Sequence, residues 1–339
     1  MASVKLSEVR ASALACLLTC AMLGLVSGCG GDEGAASSDQ AKADAELARA
    51  IEASAKRRER ERDKQATTLP PASATTTPAD GSSGRPTSSA RRPRQLLSAG
   101  DRSSFSRLAA QLPGHEGIAV STLGRGRPVA HVGSLRTGVA WSTAKVPVAM
   151  AAIAAGVAQS QDLTQAITAS DNAAAERLWS ALGDGASAAA ASTAQLREAG
   201  DRRTQIQPQR LRAGYTAFGQ TQWALTDQVR FVAGMACVAA GQHVLELMNQ
   251  VVVGQRWGLG ATGKPAQFKG GWGPGVTAGA GDGWLDRQMG VVAIAGRPVA
   301  VAMATTAPSH ESGIQSLSAI AQWVATHVDA SAAPREPQC

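Results

Sequence analysis

Hydrophobic residues cluster in short, dense stretches over the C-terminal two thirds of the chain, and their spacing predicts both strands and helices. Apolar, β-branched runs beside glycine turns predict strands at 117–122, 128–132, 289–294 and 299–305. Between the two pairs of strands, alanine-rich segments with helical spacing predict helices at 142–157, 172–182, 191–199, 226–240 and 243–251, and a closing helix follows at 313–328. Strands at both ends that enclose a mainly helical middle predict an α+β fold, with an antiparallel sheet flanked by helices.

The first 100 residues have a different pattern. Lys5 and Arg10 precede an apolar stretch at 11–26, which is typical of a secretory signal and too short for a membrane-spanning helix. From residue 29 to residue 100 the chain is rich in Ala, Ser, Thr, Pro and charged residues, which favours a disordered linker. The sequence therefore predicts a signal peptide at 1–28, a linker at 29–100 and a folded domain at 101–335.

The end of the signal carries a more specific motif. Val26-Ser27-Gly28-Cys29 resembles the lipobox of bacterial lipoproteins, in which small residues precede a cysteine that is diacylated and becomes the new N-terminus. This resemblance implies acyl chains such as palmitate on Cys29, and an anchor on the extracytoplasmic face of the bacterial cell membrane. The membrane is thus an expected partner, and protein partners are not indicated.

Composition and charge argue against two classes of function, nucleic-acid binding and metal binding. The chain has 339 residues and a net charge of +7, but its basic residues are scattered and no aromatic-interleaved basic stripe predicts nucleic-acid binding. No Cys/His spacing indicates a metal site, and no motif indicates a cofactor. Outside the signal and the lipobox only Cys237 and Cys339 remain, and either a disulfide or a buried, unpaired Cys237 accounts for them.

The first candidate for chemistry is Ser142-Thr143-Ala144-Lys145, at the start of a predicted helix. This places Ser142 at the N-cap and Lys145 one turn later on the same face. A hydroxyl beside an amine that burial keeps neutral suits a nucleophile and its base.

Two further motifs follow in order. Ser170-Asp171-Asn172 lies between two helical segments and offers a hydroxyl and a carboxamide from a turn. Lys269-Gly270-Gly271 lies at the edge of the returning β region, where two glycines allow a substrate close to the backbone and the lysine supplies positive charge.

Together the three motifs resemble those of the penicillin-recognising serine enzymes, and most closely the class A β-lactamase-like branch, over about residues 115 to 328. The resemblance implies a β-lactamase/transpeptidase-like fold, with Ser142 acylated, Lys145 as general base and Ser170 as proton relay. It further implies that Asn172 contacts the substrate amide and that Lys269 and Gly271 complete the third motif. The N–H groups of Ser142 and Trp272 would form the oxyanion hole, and Arg287 would pair with a substrate carboxylate.

The chain departs from this pattern in three places. Only 28 positions separate Ser142 from Ser170, which predicts a reduced helical lobe. The segment 204–210 reads Thr-Gln-Ile-Gln-Pro-Gln-Arg and lacks the Glu that activates the deacylating water, while Glu198 is predicted to contact solvent or an arginine. Gly270 stands where the family has a hydroxyl.

These observations predict an envelope lipoprotein whose serine acyl-enzyme domain acts on amide or lactam compounds of cell-wall type, as a small molecule or a peptide, and hydrolyses β-lactams poorly. The alternative is a non-catalytic envelope-binding lipoprotein that retains the fold. A glycine-rich insertion after Gly271 carries Trp272 and Trp284, which form either a hairpin tip or an aromatic lip on the site. The five histidines have no Ser or Cys elbow beside them, so a Ser-His-Asp hydrolase is not supported.

Overall fold

The structure, a computed structural model, describes residues 95–275 and 283–339. The signal peptide, Cys29 and almost all of the predicted linker lie outside the described residues. Eight α-helices and seven strands form within them. The helices are α1 (Ala99–Ala109), α2 (Lys145–Ala154), α3 (Ser160–Thr164), α4 (Asn172–Ala181), α5 (Gly185–Glu198), α6 (Leu225–Met235), α7 (Ala239–Met248) and α8 (His310–His327). The strands are β1 (Glu116–Thr122), β2 (Val129–Gly133), β3 (Thr137–Val139), β4 (Gln222–Ala224), β5 (Ala266–Pro274), β6 (Trp284–Ile294) and β7 (Arg297–Ala307).

Five strands form one antiparallel sheet in the order β2-β1-β7-β6-β5, and β3 and β4 pair as a separate ribbon. Helices cover both faces of the sheet, so the inner strands are buried on both sides and read as near-continuous apolar runs. The α+β prediction is therefore confirmed. Strand β5 forms one edge of the sheet and lies beside the helices.

Two hydrophobic cores lie on opposite faces of the sheet. One core joins the sheet to α2, α4, α5, α6 and α7. The other joins it to α1 and α8, where Phe105 and Trp323 meet edge to face at 5.0 Å. Every residue of α2 up to Ala152 is buried, Lys145 included, because this helix runs through the middle of the first core.

The limits of the folded part are wider than predicted. Leu97 is buried and α1 begins at Ala99, so the last residues of the predicted linker belong to the fold. A Ser98–Asp101 capping box starts this helix, a signal that the hydrophobic pattern did not include. At the other end Cys339 forms a disulfide with Cys237, so the fold continues to the last residue of the chain.

Candidate active site

Ser142 lies in a tight turn and not at a helix N-cap. Residues Trp141–Ala144 form one turn of 3₁₀ helix, α2 begins only at Lys145, and no side chain caps either element. The N-cap prediction is therefore wrong. Trp141 has φ 46°, a left-handed conformation that costs free energy in a bulky residue and is concentrated at functional sites. Thr143 stabilises this turn, because its hydroxyl donates to Ala140 O and accepts from Gln228 Nε2 at 3.1 Å.

The edge strand β5 runs close beside this turn because it carries glycines. A Cβ on Gly271 would lie 2.8 Å from Ser142 N and 2.9 Å from Thr143 N. A Cβ on Gly273 would meet the Trp141 ring at 2.7 Å. These positions therefore require residues without a side chain, and the backbone at 271–272 lies directly against the nucleophile's turn.

Four side chains of the three motifs, those of Lys145, Ser170, Asn172 and Lys269, form one hydrogen-bonded cluster. Lys145 Nζ donates to Asn172 Oδ1 at 2.7 Å, to Ser170 Oγ at 3.2 Å and to Ser170 O. Lys269 Nζ reaches the same hydroxyl at 2.7 Å from the opposite side and also donates to Gly270 O at 3.1 Å. Both lysines are buried, so two amines share one serine hydroxyl away from water.

Burial dominates the electrostatics of this cluster. It lowers the pKa of Lys269 well below the usual value, and the nearby Lys145 lowers it further. A lowered pKa makes the uncharged amine, which can accept a proton, easier to form. The cluster therefore has the means to move a proton through Ser170 Oγ.

Solved structures with the same architecture include β-lactamases and PBP-A. A structure of PBP-A superposes with a TM-score of 0.51 at 19% identity, over 67% of this chain and 95% of that chain. A β-lactamase from Chitinophaga pinensis gives 0.52 at 15% identity, over 66% and 97%. The chromosome-encoded β-lactamase of Vibrio parahaemolyticus gives 0.51 at 15% identity, over 67% and 98%. The chain has the β-lactamase fold.

This fold is evident from structure and not from sequence similarity. No protein-family model matches the chain, and no curated protein sequence matches it. Within the described residues, no three His, Cys, Asp or Glu side chains are grouped so as to hold a metal ion. No single described helix is long and apolar enough to cross a membrane; α6 and α7 together reach that length but meet at a bend of 103°.

Arg287 of the β-lactamase-like domain does not line the site. Its side chain is fully buried and donates to the carbonyls of Gly138 and Val139 at 2.8 and 3.0 Å, to Trp223 O at 3.2 Å and to Gln228 Oε1 at 2.6 Å. Burial lowers its pKa to about 9. The predicted pairing with a substrate carboxylate is therefore wrong, because the guanidinium fastens the β3–β4 ribbon to the sheet.

The two tryptophans of the predicted aromatic lip also lie elsewhere. Successive side chains of a strand point to opposite faces, so Trp272 faces away from Lys269 and Gly271. Its ring stacks on His310 at the start of α8, with centroids 4.9 Å apart, and Trp284 packs on the same histidine at 6.0 Å. Only the backbone of Trp272 lies beside Ser142, and the lip interpretation is wrong for both rings.

The loop from α5 to β4 contains no acid between residues 204 and 210. Arg210 in this loop pairs with Glu176 of α4 at 2.9 Å. Arg212 lies over the Tyr215 ring at 4.6 Å and donates to Pro274 O at 2.7 Å. The loop is thus attached to α4 and to the end of β5. Glu198 is exposed at the end of α5, as the sequence predicted.

Three functional neighbours were missed by sequence analysis. Gln228 bridges Thr143 and Arg287 from α6, Asp201 anchors the α5–β4 loop, and His310 packs behind β5. None of these residues belongs to a motif. Their roles depend on contacts between segments that are distant in the chain, so a linear pattern carries no signal for them.

Proposed function

We propose that this protein is a serine acyl-enzyme of the bacterial envelope that opens amide or lactam bonds of cell-wall-type compounds at Ser142. The observation that carries the proposal is one hydrogen-bonded cluster beside the turn that carries Ser142: Lys145 and Lys269 both reach Ser170 Oγ, and Lys145 also donates to Asn172 Oδ1. Three separated segments supply these groups, and each residue type suits a step of acyl transfer.

The chemistry follows from the arrangement. Lys145, acting as the general base in its free-amine form, takes the proton of the Ser142 hydroxyl while Ser142 Oγ bonds to the carbonyl carbon of the substrate. The backbone N–H groups of Ser142 and Trp272 donate to the resulting oxyanion. When the carbon–nitrogen bond breaks, Ser170 Oγ gives its proton to the leaving nitrogen and recovers one from the lysine amines that contact it.

Release of the acyl group is expected to be slow. Hydrolysis needs a base that activates water, and no carboxylate occurs in the segment 204–210 where the related enzymes carry one. A long-lived ester on Ser142 is the expected consequence, so the protein acts as a penicillin-binding acyltransferase or a poor β-lactamase.

The proposed location rests on the N-terminal sequence. The signal at 1–28 and the lipobox around Cys29 favour a lipid anchor on the extracytoplasmic side of the cell membrane. A Cys237–Cys339 disulfide fits an oxidising compartment. Incorporation of labelled palmitate into the wild type, and its loss in Cys29→Ala, is the expected result; equal incorporation would contradict the anchor.

Intact-mass spectrometry of the full-length protein in detergent, after incubation with benzylpenicillin, tests the chemistry. We expect a persistent adduct of one penicillin on the wild type and on Ser134→Ala, which changes an exposed serine outside the site. Ser142→Ala should remain unmodified while its circular dichroism is unchanged. An adduct on Ser142→Ala, or none on the folded wild type, would contradict the proposal.

The second candidate is a non-catalytic envelope-binding protein. Gly270 lacks the family's hydroxyl and Arg287 is withdrawn into the core, so two expected contacts to a substrate carboxylate are missing. This candidate predicts that wild type and Ser142→Ala bind a cell-wall peptide with equal affinity in calorimetry, and that neither forms an adduct.

A further inference from the structure

A row of polar side chains crosses four strands on the sheet face opposite Lys269. Glu116, Thr305, Asp286 and Trp272 are successive cross-strand partners on β1, β7, β6 and β5. Thr305 Oγ1 donates to Glu116 at 3.3 Å, and both carboxyl groups are buried. Burying a carboxyl group in an apolar layer costs free energy, so its presence calls for a local reason.

Behind the edge strand β5, the row ends in a compact unit formed by the side chains of Asp286, His310 and Trp272. His310, the first residue of α8, is hydrogen-bonded through Nδ1 to Asp286 Oδ1. The same imidazole is stacked on Trp272, with an interplanar angle of 19°, and meets the Trp257 ring edge to face at 6.1 Å. A Cβ on Gly313 would lie 1.9 Å from Asp286 Oδ2, so the first turn of α8 rests directly on the carboxyl group.

This unit supports the part of β5 that faces the nucleophile. Trp272 follows Gly271, whose backbone is so close to Ser142 N that a Cβ does not fit between them. The N–H of Trp272 is the proposed second donor of the oxyanion hole. Donors of this kind act only when they are held at hydrogen-bond distance from the developing charge, so a small displacement of β5 removes much of their effect.

We propose that Asp286 and His310 are positioning residues for acylation: together they fix the Trp272 ring and thereby hold the Trp272 N–H against the Ser142 turn. The inference rests on the proposed function. Neither residue contacts the reacting atoms, since both lie on the far face of β5 from Lys269.

Among residues 95–275 and 283–339, few charged groups face this unit. Glu311 is the exposed neighbour of His310 on α8, and Glu116 is two strands away on β1. Lys269 and Arg287 alternate to the other face of β5 and β6, and Trp257 and Trp284 close the remaining sides with apolar rings. Burial raises the pKa of Asp286 to about 6, and the hydrogen bond from His310 opposes that rise.

Acylation of the full-length protein by benzylpenicillin, measured by rapid-quench mass spectrometry, tests the inference. We expect Asp286→Asn and His310→Phe to lower the maximal acylation rate at least tenfold, with the half-saturating penicillin concentration within threefold of wild type. The wild-type rate should change near pH 6, and this change should be absent in Asp286→Asn. Glu116→Gln, a buried carboxyl group in the same row without contact to Trp272, is the matched control and should acylate at the wild-type rate.

The outcomes separate this inference from the function on which it rests. Wild-type rates and an unchanged pH profile in both folded variants, or an equal loss in Glu116→Gln, would overturn the positioning role alone. Absence of a Ser142-dependent adduct on the wild type would overturn the proposed function and the positioning role together. His310→Phe keeps a ring for stacking, so it provides a second folded variant that removes the hydrogen bond to Asp286.

Discussion

Ser170 occupies a left-handed backbone conformation, with φ 61°, at the end of a π-helical turn. This conformation is costly for a serine, and the residue that follows, Asp171, starts α4 by accepting a hydrogen bond from Ala174 N at 2.6 Å. The turn therefore presents both the carbonyl and the hydroxyl of Ser170 to Lys145. Strain at one residue gives the site its central hydrogen-bonding group.

Gly271 offers a direct test of how closely β5 must approach the nucleophile. Gly271→Ala places a Cβ against backbone nitrogens at 2.8 and 2.9 Å, so the strand or the turn must move. We expect acylation of Ser142 to fall about a hundredfold, since displacements near 1 Å have effects of this size. The control is Gly254→Ala, where no atom lies within 4 Å of the added Cβ. A Gly271→Ala protein that acylates at the wild-type rate would refute this account.

Asp286 makes stability depend on pH in a specific direction. Its pKa is raised from 3.8 to about 6 in the folded protein, so the folded state binds more protons than the unfolded state between these values. The stabilisation is therefore complete below about pH 4 and is lost as the pH rises to 6, by roughly 3 kcal/mol. Asp286→Asn should flatten this part of the stability curve. Urea denaturation from pH 4 to pH 7 measures it, and an unchanged slope in the variant would show that another group titrates there.

At the scale of elements, the loop between α5 and β4 is held by one buried carboxylate. Asp201 accepts hydrogen bonds from Trp223 Nε1 at 2.9 Å and from the backbone N–H groups of Arg203 and Thr204 at 3.0 Å. Arg203 then pairs with Asp227 of α6 at 2.9 Å. The loop thus has a rigid beginning, although it contains no regular secondary structure up to Gln220 except a short 3₁₀ turn at its end.

Asp201→Ala should destabilise the protein far more than the loss of a surface ion pair. It leaves three donors without their acceptor, and two of them, Thr204 N–H and Trp223 Nε1–H, are buried, so we expect the free energy of unfolding to fall by about 2–4 kcal/mol. Asp162→Ala, which removes the pair with the exposed Arg177, should cost much less, because water screens an exposed ion pair. Chemical denaturation of the two variants makes the comparison, and equal losses would mean that Asp201 is not the anchor.

Predicted and observed elements agree where the residues buried in the fold follow the hydrophobic pattern of the sequence. The helix at 172–182 and the strand at 117–122 match α4 and β1 within a residue. Helix α4 buries one face with the helical period, and β1 is a short run that is buried throughout. The prediction for α5 began six residues late, since its first turns are almost all alanine and glycine and carry no periodic contrast. The β3–β4 ribbon was not predicted because three-residue strands are stabilised by a partner elsewhere in the chain.

At the scale of the whole molecule, the disulfide between Cys237 and Cys339, which are 102 positions apart in the sequence, ties the C-terminus to the end of α6. Gln338 N also donates to Leu123 O at 3.3 Å, so the last residues lie along the end of β1. The interpretation of Cys237 as an unpaired buried residue is wrong. The disulfide restrains the unfolded chain over the segment that contains β5, β6, β7 and α8.

Removal of this disulfide should lower the free energy of unfolding by about 2–4 kcal/mol, because the unfolded chain gains conformational freedom. The Cys237→Ala/Cys339→Ala double variant should show this loss in thermal and urea denaturation. Reductant should destabilise the wild type to the same level and leave the double variant unchanged. A reductant effect on the double variant would point to another cause.

The sequence by itself determined the fold class and the residues of the three motifs, because short-range period and spacing encode both. The sequence also shows directly that no acidic residue occurs at 204–210. The tertiary structure decided which of these residues meet. Lys145, Ser170, Asn172 and Lys269 converge, whereas Arg287 turns to the β3–β4 ribbon and the Trp272 ring to His310. The alternation of side chains along a strand assigns each one to a face of the sheet. Which segment covers that face depends on packing between residues far apart in the chain, and that packing exists only in the folded protein.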